Sequence, residues 1–279
     1  MRERPPRVSR DVRPTARADD VMKRTTRDGE QRVSALDASS VSVIIPAFNE
    51  AGYLLETLNR LRAAEGHLKA SAAAAVEIVV VDNGSTDGTA ELAETAGASV
   101  VRQPQHNIAI VRNAGVAAAL HDVLIFLDAD TLVPADLLLM IAQEMADARC
   151  AGGAVDAVHQ ASSIVLRAYF RFWRVIGLAG GMAQGACQFC RRSVFEELGG
   201  YDETHYMGED VDFFWRLKRL ARRRGLRTTF IRDCQVVPSP RRWESWPVWR
   251  TLIWTNPVFA FAFRRRRATW GGWYREPPR

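Results

Sequence analysis

Four short apolar runs, each closed by polar residues, constrain this chain more than any other feature. They are Val41-Ser-Val-Ile-Ile45, Ile78-Val-Val-Val81, Ser99-Val-Val101 and Val123-Leu-Ile-Phe-Leu127. Each reads as a strand that is apolar on both faces. Between the first two, Ala51, Leu54, Leu55 and Leu58 recur at helical spacing and present one apolar face. Asn83-Gly84-Ser85 predicts a turn, with Ser85 or Thr86 placed to cap a helix that ends at Gly97. A third helix is predicted from Ile108 to Leu120. Doubly apolar strands alternating with helices require a mostly parallel central sheet with helices on both faces, an α/β sandwich. Ligands of such sheets bind beyond the carboxyl ends of the strands.

Those ends are polar here. The first strand runs into Pro46-Ala-Phe-Asn-Glu50, the second into Asp82-Asn83, and the fourth into Asp128-Ala-Asp130. One Asp after a strand is ordinarily a turn or capping residue. Three polar clusters at one rim of the sheet suit a shared ligand site. Asp128 and Asp130 offer hard oxygen ligands of the kind Mg²⁺ or Mn²⁺ prefer, and such ions usually share their shell with a substrate's phosphates. Asp82 suits a ribose hydroxyl or a base N–H. The chain lacks G-x-G-x-x-G after its first strand and lacks G-x-x-x-x-G-K-[ST] throughout, so dehydrogenase and P-loop readings lose their support.

Charge refines this. The net +6 is carried at the ends: residues 1–40 hold 10 basic and 7 acidic side chains, and 241–279 hold 9 and 2. The body between is therefore mildly acidic, which argues against a nucleic-acid partner. Residues 1–40, rich in Arg and Pro, read as a disordered leader. The C-terminal residues 241–279 differ in kind. Trp243, Trp246, Trp249, Trp254, Trp270 and Trp273 surround an apolar stretch and the run Arg264–Arg267. That composition suits contact with an anionic membrane surface through 243–273. It also suits a tail packed on its own domain or on a second copy in a homodimer. The apolar stretch Val248–Phe263 is broken by Arg250, Asn256 and Pro257, short of the ~20 residues a spanning helix needs. The first residues carry no apolar core of a signal peptide. The expected location is cytoplasmic, peripheral on the inner face of the plasma membrane.

Five segments then carry a resemblance. Val43-Ile-Ile-Pro-Ala-Phe-Asn-Glu50, Val81-Asp-Asn-Gly-Ser-Thr-Asp-Gly-Thr89, Arg112-Asn-Ala-Gly115, Phe126-Leu-Asp-Ala-Asp130 and Gly208-Glu-Asp210 resemble, in order and spacing, the motifs of family 2 glycosyltransferases. The resemblance covers about residues 41–243 and implies the GT-A type of Rossmann-like sandwich, with a basic Trp-rich extension appended. It divides 41–240 into a nucleotide-sugar half (41–130) and an acceptor half (131–240). Pro46, Phe48, Glu50 and Asp82 would hold the nucleotide's base and ribose, and Arg112 would contact the nucleotide. Asp128 would lie near the ribose and sugar, and Asp130 would ligate Mg²⁺ or Mn²⁺ together with Asp128. Asp210 would be the catalytic base of a single inverting displacement, with Glu209 orienting the acceptor or capping a helix from Val211 to Arg224.

The implied function is an inverting, non-processive glycosyltransferase. It would move a sugar from a nucleotide-diphospho-sugar, UDP favoured, to a hydroxyl or phosphate of a saccharide or lipid-linked acceptor. The alternative is a catalytically inactive nucleotide-sugar-binding or membrane-adaptor protein on the same fold. The chain departs from the pattern at Pro238-Ser-Pro-Arg-Arg242, where many such enzymes place a metal-ligating His, and Ser239 stands where processive members have Gln. Cys187 and Cys190 read as free thiols on a core strand. His106 and His205 read as solvated loop residues. The stretch Ile164–Leu178 reads either as an acceptor-side helix or as core packing with an Arg face.

Overall fold

Apolar runs without polar alternation must be covered on both sides; the strands Val41–Ala47, Val76–Asp82 and Val123–Leu127 are, while Ser99–Arg102, at the sheet edge, is only half-buried. The computed structural model describes residues 40–271 apart from 181, 183 and 184. The predicted leader and Trp273 lie outside the described residues. Strands β1 (Val41–Ala47), β2 (Val76–Asp82), β3 (Ser99–Arg102) and β4 (Val123–Leu127) are parallel to their neighbours in the order β3-β2-β1-β4. The sheet continues through β7 (Cys187–Arg191), β6 (Cys150–Ala157), β8 (Arg227–Pro238) and β5 (Thr131–Leu132). In this second half β7 runs antiparallel to both β4 and β6, while β6 and β8 are parallel.

Two apolar layers sandwich the sheet. On one face α1 (Ala51–Ser71) and α4 (Leu137–Ala146) bury Leu54, Leu58, Leu61, Leu137 and Ile141. On the other, α3 (Ile108–Ala118), α6 (Arg192–Leu198) and α7 (Glu209–Arg224) bury Val111, Phe195, Phe213 and Leu217. Gly115 lets α3 approach β1 and β2 closely, since a Cβ there would collide with Ile44 and lie 2.9 Å from Val81 Cγ2. All four cysteines are free and buried, and burial raises the Cys187 and Cys190 thiols well above their ordinary range.

The turn after β2 departs from expectation. Helix α2 (Thr89–Thr95) is preceded by Gly88 in the left-handed region, φ 86°, so neither Ser85 nor Thr86 caps it. That loop serves α1 instead. Ala51 N donates to Asp87 Oδ2 (3.0 Å), Glu50 N to Thr89 Oγ1 (2.8 Å) and Asn49 N to Ser85 Oγ (2.9 Å). Asn49 Oδ1 in turn accepts from Thr86 N (2.8 Å). Helix α1 has no side-chain cap of its own, so its first amides are satisfied from the neighbouring loop.

Past β8 the chain forms short helices: α8 (Arg241–Ser245), α9 (Val248–Trp254), α10 (Pro257–Phe263) and α11 (Arg267–Trp270). Asn256 caps α10, accepting from Val258 N and Phe259 N, and Pro257 opens it. Among the described residues no helix is long and apolar enough to cross a membrane. Trp270 is fully buried against Trp254 and Phe259, and its Nε1 donates to Phe263 O (2.9 Å). Arg250 stacks on both Trp246 and Trp254. Much of the expected surface aromatic belt is thus a small core of its own. Trp249 remains largely exposed.

Candidate active site

The carboxyl ends of β1 and β4 open into a cleft of about 780 Å³. Its walls include Pro46, Phe48, Glu50, Arg112, Asp128, Asp130, Glu209 and Asp210, so the structure brings together eight of the nine predicted site residues. Asp82 is the exception. It is buried at the end of β2, outside the lining, and its Oδ1 accepts from Ser85 N (3.1 Å), which shapes the 82–85 turn.

Arg112, from α3, is the floor's central strut. Its Nη1 donates to Glu209 Oε1 (2.5 Å) and its Nη2 to Asp128 Oδ1 (3.1 Å), and the guanidinium lies over the Tyr201 ring. The side chain is 2% exposed and holds two carboxylates in place at the cleft wall. The rest of its motif is equally structural. Asn113 donates to Tyr201 O and accepts from Tyr201 N, both at 3.0 Å, fixing the segment that leads to Gly208.

Glu209 and Asp210 open α7 after Gly208, whose φ of 72° makes the sharp entry. Glu209 turns inward onto Arg112, which holds its carboxylate at the cleft floor. Burial, helped by Asp210, raises its carboxyl above the usual range, with Arg112 opposing. Asp210 faces the cleft beside Gly185. A Cβ on Gly185 would lie 2.8 Å from Asp210 Oδ2 and 3.1 Å from Arg112 Nη2, so only glycine lets the chain pass here. A third of the Asp128 side chain meets solvent, but it lies deep in the cleft. Desolvation there, with Asp130 and Asp210 nearby, pushes its carboxyl up to about 6 against the pull of Arg112.

Arg241 is the residue that sequence reasoning missed. Strand β5 pairs with β8, Thr131 opposite Pro238, and Ser239 N donates to Asp130 O (3.0 Å). This delivers α8 to the strand-four loop, where Arg241 Nη2 pairs with both Glu50 Oε1 and Asp130 Oδ2 (3.1 Å to the latter). Its guanidinium stacks on Tyr53, 4.3 Å from the ring centre. Burial pushes the Glu50 carboxyl up to about 7, Arg241 opposing and Asp130 adding. A boundary after residue 240 therefore cuts through the site: Arg241, Arg242 and Trp243 line the cleft. The signal available in sequence was the departure at 238–242 itself.

The predicted ligands of Mg²⁺ or Mn²⁺ fit such an ion by charge and chemistry. The cleft lining holds seven carboxylates (Glu50, Asp128, Asp130, Asp156, Glu209, Asp210 and Asp212) against five arginines. One oxygen of Glu50 is buried without a hydrogen-bond partner. Among the described residues no three His, Cys, Asp or Glu side chains form a metal cage, so an ion here would complete its shell with water or a ligand's oxygens.

The outer wall is apolar. Helix α5 (Ile164–Gly180) is anchored at the cleft by Arg174, which pairs with the buried Asp156 of β6. It lines the cleft with Tyr169, Phe170 and Trp173, and it exposes Ile164, Val165, Phe172 and Val175 on the outside. Tyr169 Oη reaches Leu252 O (3.2 Å), joining α5 to α9. His205, expected to be solvated, is buried. Its Nε2 accepts from Arg264 Nε (3.1 Å), which pins the C-terminal segment to the domain. His106 packs edge-on against Phe48.

Residues 42–199 match the model of glycosyl transferase family 2. The chain belongs to that family. Undecaprenyl-phosphate 4-deoxy-4-formamido-L-arabinose transferases of Pseudomonas fluorescens and Pseudomonas aeruginosa are similar to it. They are 42% identical over 102 residues and 35% over 180. These matches cover 34% and 57% of this chain but 28% and 49% of the relatives, so the chain spans about half their length or less. The family 2 chain also superposes on S. aureus TarS in complex with UDP-GlcNAc, with a TM-score of 0.56 and 20% identity. The match covers 72% of this chain and 59% of the TarS fragment 1–349, and it shows the GT-A fold.

Proposed function

We propose that this family 2 protein is an inverting, non-processive glycosyltransferase that moves a sugar from a UDP-sugar to a lipid-linked acceptor at a membrane surface. The observation that carries the reading is the meeting in one cleft of Asp128 and Asp130, on the loop after β4, with Asp210 at the start of α7, the buried Arg112 tying Asp128 to Asp210's neighbour Glu209. The donor's base and ribose take the Pro46–Glu50 side, beside Phe48. Asp128 and Asp130 would hold Mg²⁺ or Mn²⁺, which supplies charge neutralisation for the departing nucleoside diphosphate when bound. Asp210 accepts the proton of an acceptor hydroxyl as its oxygen attacks the anomeric carbon from the opposite face, inverting the centre in one displacement. A phosphate acceptor is already anionic and needs no base, so Asp210 has no proton to take from it.

The apolar outer wall supports a lipid-borne acceptor. Trp249, Ile253, Val258 and Phe261 of α9 and α10 are exposed, and the exposed Arg265, Arg266 and Arg267 follow them in the chain. Exposed aliphatic and aromatic residues beside arginines suit the surface of an anionic bilayer. The Pseudomonas relatives are named as undecaprenyl-phosphate transferases, which supports the same acceptor chemistry.

The test is turnover of UDP-sugars with lipid hydroxyl and lipid phosphate acceptors, using Asp210→Asn beside the parent protein. With a hydroxyl acceptor the variant should lose about 100- to 10,000-fold in turnover. With a phosphate acceptor the loss should be much smaller. Unchanged turnover on a hydroxyl acceptor would remove Asp210 as base, and absence of nucleotide binding by the parent protein would sink the reading altogether.

A further inference from the structure

A carboxylate poised to ligate a cation should not already carry a buried counter-ion, yet Asp130 does. Arg241 Nη2 lies 3.1 Å from Asp130 Oδ2 and also pairs with Glu50, with the Arg241 side chain 9% exposed. Both acidic contacts use one nitrogen of a group that carries five N–H donors. Its Nε is buried with no hydrogen-bond partner, and so is Glu50 Oε2. The guanidinium is therefore neutralised but under-bonded, which is the condition of a group with a second, better set of acceptors. Those acceptors must be anionic, rich in oxygen and able to enter the cleft, and a diphosphate meets all three requirements. Tyr53 keeps the guanidinium plane stacked while its edge is free to exchange partners.

We propose that Arg241 is a diphosphate-binding residue held in reserve on Asp130: in the empty cleft it is the counter-ion of Asp130 and Glu50, and it turns to the donor's diphosphate when a divalent cation takes Asp130. This rests on the donor reading given above and adds a residue and an order to it. Arg241 competes with the cation while the cleft is empty and cooperates with it once the donor is bound. A guanidinium that served packing alone would do neither.

The opposite signs make the test. Mn²⁺ binding to the full chain is followed by the electron paramagnetic resonance signal of free Mn²⁺, without nucleotide. UDP binding is followed by calorimetry with Mn²⁺ saturating. Arg241→Gln should bind Mn²⁺ about tenfold more tightly and UDP about tenfold more weakly than the parent, each the counterpart of roughly 1.4 kcal/mol. Equal or weaker Mn²⁺ binding by the variant would overturn the competition, and unchanged UDP binding would overturn the transfer. Glu50→Gln is the second variant: with one partner removed, Arg241 holds Asp130 more firmly, and Mn²⁺ binding should weaken several-fold. Unchanged or tighter Mn²⁺ binding there also overturns the proposal, even if Arg241→Gln does not fold. A parent protein that binds Mn²⁺ but no nucleotide removes the donor reading and the transfer together, while the Mn²⁺ comparison still decides the counter-ion role.

Discussion

The parallel half of the sheet and the segment after β8 reach the same cleft by different physics. Residues 41–130 place their polar groups at the ends of strands buried on both faces, with adjacent loops bonded amide to side chain. Residues 241–271 are short helices joined by turns, held by arginines and a single buried tryptophan. The first region fixes positions; the second brings a charge and an apolar cover that can be exchanged. Machinery that must not move and machinery that must yield are carried by different kinds of packing.

Breaking the first region should cost the whole molecule. Gly115→Ala puts a methyl into Ile44 at the α3–β1 contact, and overpacking of this kind costs roughly 1–3 kcal/mol. Urea unfolding should show one cooperative transition at a lower midpoint. A loss confined to one half of the chain would contradict the view of that layer as a continuous support. Trp270→Ala should act differently. It empties the C-terminal cluster and should raise protease cleavage within 241–271, while the unfolding midpoint of the remaining domain moves little. A global loss as large as that of Gly115→Ala would erase the distinction between the regions.

The third effect lies at the junction and should be the smallest. Burial holds the Glu50 carboxyl up to about 7, from an ordinary value of 4.5. Between those values the folded protein keeps a proton that the unfolded chain releases, so this group's contribution to stability falls as pH rises through that window. Glu50→Gln removes the dependence. Its melting temperature relative to the parent should therefore climb from pH 5 to pH 8, and a difference constant with pH would contradict the shift.

The sequence made the parallel half legible because its strands are apolar on both faces and its helices carry clean periodic stripes. The second half was not legible for equally physical reasons. Strand β6 reads Cys-Ala-Gly-Gly-Ala-Val-Asp-Ala, weak in the β-branched residues that mark strands. Its Gly152, at φ 151°, and Gly153 are required because Phe189 and Thr229 approach too closely for a side chain. In the site, acidic residues at strand ends announced themselves by position. Arg112 was visible, but its partner Glu209 lies 97 residues away, and no local pattern joins them. Arg241 sits in an arginine-rich stretch where nothing local separates it from Arg242; only the pairing of β5 with β8 does.

The bonding between the loops after β1 and β2 has a consequence for heredity and for engineering. The amides of Asn49, Glu50 and Ala51 find their acceptors in Ser85, Thr89 and Asp87, and Asn49, at φ 54°, returns the bond to Thr86. The two loops are one inheritable unit written in two places. A chimera that imports the first from a homologue without the second leaves three backbone amides stranded, so the two loops must be moved together.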